Sequence, residues 1–401
     1  MKRRTLVTAS AALLATAATA PGPLSPAAAA LPLRRAAAPV RFDLPAPSGP
    51  YPIGTVALRL RDTSRPDPWT AGRPCRELMI SIWYPAAGGA PAPAVPWMPP
   101  RAADRYLGSL GLASGAVLLG YAHGRERAPF RCPGGPLPVV LYSPGSNASR
   151  SFGTGIVEDL AGHGYVVVTV DHPYDAAVVE FPGGRVETAP PGGLRDYAKA
   201  LTVRTDDLRF VLDRLTAIRA GDDGTGLPGG PLPPGLPDAL DLRRIGMIGH
   251  SLGGAATAAA MHADGRIAAG ASLDGGAAGP VVDAGLDRPF LVVDTYGKGG
   301  MESNPALRTF WSNLRGWRRH LTVAGAAHQS FGDETLILPE IAHLLGMDRA
   351  TLEGEVGTIP THRAQAFQRA YPRAFFDLHL RGRGRLLDGP SPDFPEVRYR
   401  R

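Results

Sequence analysis

Residues 245–260 read Ile-Gly-Met-Ile-Gly-His-Ser-Leu-Gly-Gly-Ala-Ala-Thr-Ala-Ala-Ala. The first four residues are a short apolar run, read as a buried strand. Gly254 to Ala260 is an Ala-rich segment, read as a helix. Between them stands Gly249-His250-Ser251-Leu252-Gly253, a G-x-S-x-G turn. In a chain with 50 glycines this pentapeptide alone is a weak signal. Flanked by a strand and a helix, it is a sharp turn that lifts a serine above a sheet. Glycines suit that turn because its backbone is strained and leaves no room for a Cβ. The small residues that follow let the helix approach the sheet, and its N-terminal dipole favours a developing negative charge.

The surrounding chain alternates strands with helices. Residues 137–143, 165–170, 245–249, 267–273, 289–293 and 319–324 are short, continuous apolar runs. Such runs are strands buried on both faces of a parallel sheet. Residues 54–61 and 77–84 alternate apolar and polar residues, which predicts an antiparallel pair. Helices are predicted over 152–162, 198–218, 251–263 and 363–380, with one more near 101–113. This order gives an α/β fold: a mostly parallel central sheet with helices on both faces. In such sheets ligands bind at the carboxyl ends of the strands.

A serine nucleophile needs a base, and the base needs an orienting acid. With this turn, acid and histidine follow the serine in chain order. Asp274 directly follows the strand 267–273, and Asp294, after the strand 289–293, is its rival. His328 stands in a small-residue loop after the strand 319–324. His320, His343, His362 and His379 fall in strand, helix or polar segments, which suit structural histidines. An acyl-transfer site also needs donors for an oxyanion. Leu252, next after the serine, supplies one N–H. The loop Ser143-Pro144-Gly145-Ser146-Asn147 supplies the other, and since Pro144 has no N–H, the donor is Gly145 or Ser146. Asp171-His172-Pro173-Tyr174-Asp175 gathers a histidine and two carboxylates. No second histidine is near, so a pocket-lining loop is expected there rather than a metal site.

The chain has 401 residues, 44% hydrophobic and 20% charged, enough to bury a core. No strongly apolar run of 18 residues follows the N-terminus, which argues against an integral membrane protein. Net charge is +7, and three of those charges are Lys2, Arg3 and Arg4. The remaining excess is mild, so a nucleic-acid partner is not expected. Residues 1–30 carry a basic start, an apolar run and Ala28-Ala29-Ala30, the layout of an export signal. Arg3-Arg4 fits a twin-arginine route as well as the general one. A secreted protein with two cysteines, Cys75 and Cys132, is compatible with one disulfide. The domain is expected over 40–380, followed by a basic, solvated tail at 381–401. Residues 86–135 are too poor in pattern to assign and are placed as an insertion near the site.

Several spaced segments together resemble the plasma-type platelet-activating factor acetylhydrolases and a wider group of exported bacterial α/β-hydrolases. They are Ile82-Trp83-Tyr84-Pro85, the Leu141–Asn147 loop, Asp159 to Tyr165, Val170-Asp171-His172, Gly249 to Gly254, Leu273-Asp274 and His328 to Phe331. The resemblance spans about residues 43–380. It implies an α/β-hydrolase fold, no metal or other cofactor, and cleavage of the short acyl ester of a glycerophospholipid. It makes Ser251 the nucleophile, Asp274 the acid and His328 the base, with the N–H groups of Leu252 and Ser146 as the oxyanion hole. The implied partner is a small-molecule or lipid ester, met in transient contact with a membrane or lipid interface. Where the family carries His-Gly in the oxyanion loop, this chain has Pro144-Gly145. The alternatives are a lipase, cutinase or polyester hydrolase acting on longer or polymeric esters, and a non-catalytic binding module on the same scaffold.

Overall fold

A computed structural model describes residues 38–400, apart from residues 90, 132–133, 191–192, 223–230 and 296–299. The expected export signal lies outside the described residues, as does Cys132 and with it the expected disulfide.

An eleven-stranded sheet organises the molecule. Across it run Val397–Arg400, Arg318–Val323, Phe290–Thr295, Ile267–Leu273, Leu240–His250, Leu137–Ser143, Val166–Asp171, Arg76–Pro85, Ile53–Asp62, Tyr121–Glu126 and Ala94–Pro96. The six from Arg318–Val323 to Val166–Asp171 are mutually parallel. Ile53–Asp62 and Arg76–Pro85 form the predicted antiparallel pair, joined to the parallel set through Arg76–Pro85. This is the α/β-hydrolase fold.

The apolar runs are continuous because both sheet faces are covered. Leu137, Val139 and Leu141 enter one core while Val140 and Tyr142 enter the other. The helices Tyr197–Arg219 and Leu252–Ala263 cover the first face. Thr154–Gly162 and Thr361–Arg381 cover the second. The chain leaves Leu137–Ser143 for Val166–Asp171 on one side, then crosses back to Leu240–His250 on the other. Loops from those two central strands therefore part to opposite faces, and the crevice between their carboxyl ends is where ligands bind in such sheets. The Ser143–Asn147 loop and the Gly249–Gly253 turn both lie there.

One expectation needs correction, and the segment left unassigned gains its elements. The segment 381–401 is not a solvated tail: Val397–Arg400 pairs antiparallel with Arg318–Val323 and closes one sheet edge. Its Val397 is buried, and Tyr399 Oη donates to Leu386 O at 2.6 Å. Residues 86–135 supply the opposite edge through Ala94–Pro96 and Tyr121–Glu126, together with the helix Pro100–Ser109. That helix, Trp97 and Met98 join Phe152, Ile337 and Ile341 in a satellite core. Trp97 Nε1 donates to Asp333 Oδ2 at 3.1 Å, tying this edge to the segment after His328.

Candidate active site

Ser251 adopts φ 54° and ψ −121° between its strand and helix, a conformation that costs a non-glycine residue about 1–3 kcal/mol. The surrounding packing holds it there. A Cβ on Gly249 would stand 2.2 Å from the backbone of Gly253, and one on Gly253 would stand 1.9 Å from Ser143 O. Ser251 N donates to Leu273 O at 2.9 Å, so the turn is pinned to the neighbouring strand end.

Ser251 Oγ lies 3.0 Å from His328 Nε2, and His328 Nδ1 lies 2.5 Å from Asp274 Oδ2. The imidazole then donates from Nδ1 to the carboxylate and accepts the serine O–H at Nε2. Asp274 is held in turn. Its Oδ1 accepts from Thr295 N at 3.0 Å, and its own N donates to Val293 O at 2.7 Å. Its side chain is 7% exposed whereas that of His328 is 45% exposed, so the imidazole is the member open to a ligand. Sequence reasoning therefore named three residues that the fold brings onto one line of hydrogen bonds.

The rival Asp294 serves elsewhere. Its Oδ2 accepts from His320 Nε2 at 2.9 Å and from Met301 N at 2.8 Å. His379 meets Trp317 edge-to-face, and His343 and His362 are exposed.

Leu252 opens its helix, where an N–H has no partner within the helix. Gly145 lies beside the serine: a Cβ there would stand 3.3 Å from both Ser251 Cβ and His250 Nδ1. Gly145 O accepts from Ala148 N at 3.3 Å, closing a turn in which Asn147 has φ 60°. Among the described residues, the N–H groups of Gly145, Ser146 and Leu252 donate to no protein acceptor. The site thus combines a serine, an imidazole, a carboxylate and unspent amides from the Ser143–Asn147 loop and from Leu252, a set suited to acyl transfer.

His250 was quoted only as part of the turn, yet it has its own contact. Its Nε2 lies 2.9 Å from His328 O, and the two rings touch at a 40° tilt with centroids 4.7 Å apart. A carbonyl only accepts, so Nε2 carries the proton. Burial first, and then the neighbouring His328, push its pKa down to about 3. It is a neutral donor at any working pH.

Within the Asp171–Asp175 loop, the side chains of Asp171, His172 and Asp175 are buried and taken up by protein partners. His172 is fully buried, its Nδ1 2.9 Å from Asp207 Oδ2 and its Nε2 3.1 Å from Ser143 Oγ. Asp171 pairs with Arg150 and Asp175 with Arg204. The three side chains thus face separate partners beneath the sheet end. Sequence reasoning missed Arg204 and Asp207. The visible sign was their place among Leu201, Leu208, Val211, Leu212 and Leu215: position 204 falls on the apolar face of the helix, where a charge needs a buried partner.

Comparison with known proteins gives the family and the class of reaction. The family model "Platelet-activating factor acetylhydrolase, isoform II" matches residues 37–182 and 198–371. A probable 1-alkyl-2-acetylglycerophosphocholine esterase of Arthroderma benhamiae is 31% identical over 90% of this chain and 94% of its own. The platelet-activating factor acetylhydrolase of Gallus gallus is 22% identical over 75% of this chain and 76% of its own. Among solved structures, a ferulic acid esterase from Streptomyces cinnamoneus superposes with a TM-score of 0.76 at 37% identity, covering 90% of this chain and 99% of that one. The chain is therefore a carboxylic ester hydrolase and belongs to the platelet-activating factor acetylhydrolase family, isoform II.

Proposed function

We propose that this is an exported serine esterase that removes short acyl groups, including those of phospholipid-type esters, through an acyl-enzyme on Ser251. The observation that carries the reading is the unbroken sequence of contacts from Ser251 Oγ to His328 Nε2, and from His328 Nδ1 to Asp274. His328 takes the serine proton as Oγ attacks the ester carbonyl. Asp274 holds the imidazole in the tautomer that can accept that proton and stabilises the resulting cation. The tetrahedral oxyanion rests on the N–H groups of Leu252 and Ser146. His328 then returns the proton to the leaving alcohol. Water, activated by the same imidazole, hydrolyses the acyl-enzyme.

A second reading concerns the acyl group. The likeness to a ferulic acid esterase supports a larger, aromatic acyl chain on the same machinery. A p-nitrophenyl ester series from acetyl to palmitoyl, with methyl ferulate alongside, separates the two. The proposal expects kcat/KM to fall steeply beyond the shortest esters. A preference for long chains or for the ferulate would overturn the short-acyl assignment and leave the esterase chemistry in place.

A further inference from the structure

The oxyanion loop rests on a buried arginine. Arg204, on the helix Tyr197–Arg219, is 1% exposed. Its Nη1 donates to Pro144 O and to Ser143 Oγ, the latter at 3.2 Å. Its Nη2 donates to Gly145 O at 2.9 Å. Asp175 holds the guanidinium through both oxygens, to Nε at 2.5 Å and to Nη2 at 2.9 Å. Asp175 O also accepts from Asn147 N at 3.1 Å, which fixes the far side of the loop. Below, His172 bridges Ser143 Oγ to Asp207, and Asp207 takes Arg76 through both carboxylate oxygens, at 3.1 and 2.9 Å.

We propose that Arg204 is a positioning residue that aims the oxyanion donors of this esterase. The argument is one of peptide geometry. In a trans peptide the C=O and the next N–H point in opposite directions. Pinning Pro144 O onto the guanidinium turns Gly145 N–H away from it, and pinning Gly145 O does the same for Ser146 N–H. Both candidate amides of the loop thus leave the buried layer from one anchor. A proline at 144 fits this role, because its only backbone hydrogen-bonding group is the carbonyl that Arg204 holds. Arg suits the task better than Lys, since its planar fork reaches two carbonyls and a carboxylate at fixed angles.

This inference rests on the acyl-enzyme reading above, and its test separates the two. The substrates are p-nitrophenyl acetate and its thionoester analogue, in which sulfur replaces the carbonyl oxygen. Sulfur is a larger and weaker acceptor, so donors placed for an oxygen anion favour the oxo ester. The readout is the ratio of the two kcat/KM values, which does not depend on how much of a preparation is folded. Wild type is expected to favour the oxo ester strongly. Arg204→Lys, which keeps the charge but reaches one carbonyl, is expected to lower the ratio by about tenfold or more, in line with the loss of one oxyanion donor. Arg76→Lys, in the same ion network but without contact to residues 143–145, is expected to leave the ratio unchanged. An unchanged ratio in Arg204→Lys overturns the proposal, as does an equal fall in Arg76→Lys. If Arg204→Lys yields no folded protein, Asp175→Asn, which slackens the arginine without removing it, must lower the ratio by a smaller factor, and a wild-type ratio there also overturns it. A wild type that fails to discriminate, or whose Ser251 is not the acylated residue, removes the underlying reading instead.

Discussion

His250 links the serine's own turn to the loop that carries His328, and removing its N–H isolates that link. In His250→Phe the ring volume is largely kept, but the donor 2.9 Å from His328 O is lost. Leaving a partly buried carbonyl unpaired costs about 1–3 kcal/mol, against a net worth of about 1 kcal/mol for the bond itself. The catalytic cost is larger than this suggests, because the carbonyl belongs to the residue whose Nε2 must meet Ser251 Oγ at 3.0 Å. A misplacement near 1 Å costs about 100-fold in rate. His250→Phe is therefore expected to lower kcat by about 10- to 100-fold, with little change in KM. His250→Gln, whose amide can still donate, should recover much of the loss. Burial pushes the pKa of His250 to about 3, so it carries no charge in the working range. The plateau of the pH–rate profile should fall in His250→Phe while its acid midpoint stays put. The assay is p-nitrophenyl acetate hydrolysis from pH 5 to 9, with active sites counted by a fluorophosphonate. Wild-type kcat in His250→Phe, or no recovery in His250→Gln, would refute this reasoning.

Other consequences are equally measurable. Asp274→Asn should cost about 10⁴-fold in kcat by disfavouring the required tautomer, whereas Asp294→Asn, on the His320 pair, should leave kcat within a few fold; equal losses would reverse the choice of acid. Asp207→Ala strips the buried partner from Arg76 and His172 and should cost about 3–5 kcal/mol in denaturant unfolding; a loss under 1 kcal/mol would contradict the described network. Burial raises the pKa of Asp333 to about 7, so the folded chain binds its proton more tightly than the unfolded one. The stability this gives is complete below about pH 4 and is lost as pH rises to about 7, worth about 4 kcal/mol. Asp333→Asn should flatten that decline in urea titrations taken between pH 4 and 8, and a decline of unchanged slope would contradict the assignment.

Much of this molecule is written locally. A parallel strand buried on both faces is apolar along most of its length, so the runs within Val166–Asp171 and Phe290–Thr295 declare themselves without knowledge of their neighbours. The serine turn is legible because its glycines answer to contacts only a few residues away, although Gly253 also clears Ser143 O from a strand a hundred positions earlier. Asp274 and His328 followed from strand ends and chain order. What stayed hidden depends on partners far along the chain. Val397–Arg400 is a strand only because Arg318–Val323 offers an open edge, and its arginines read as solvated without that partner. Arg204 stands on the apolar face of its helix, but its partners, the Ser143–Asn147 loop and Asp175, come from segments far away in the chain, as do His172 and Arg76 for Asp207. His172, in a segment rich in potential ligands, turns out to be spent on two hydrogen bonds.

The central claim is that Ser251 is the acylated nucleophile. The most direct test is intact-mass and peptide-mass analysis after reaction with a fluorophosphonate, run on wild type and Ser251→Ala together with p-nitrophenyl acetate turnover. The account predicts one adduct per chain, located on the peptide containing Ser251, and in Ser251→Ala the loss of both the adduct and nearly all turnover. An adduct on another residue, or turnover retained by Ser251→Ala, would contradict it.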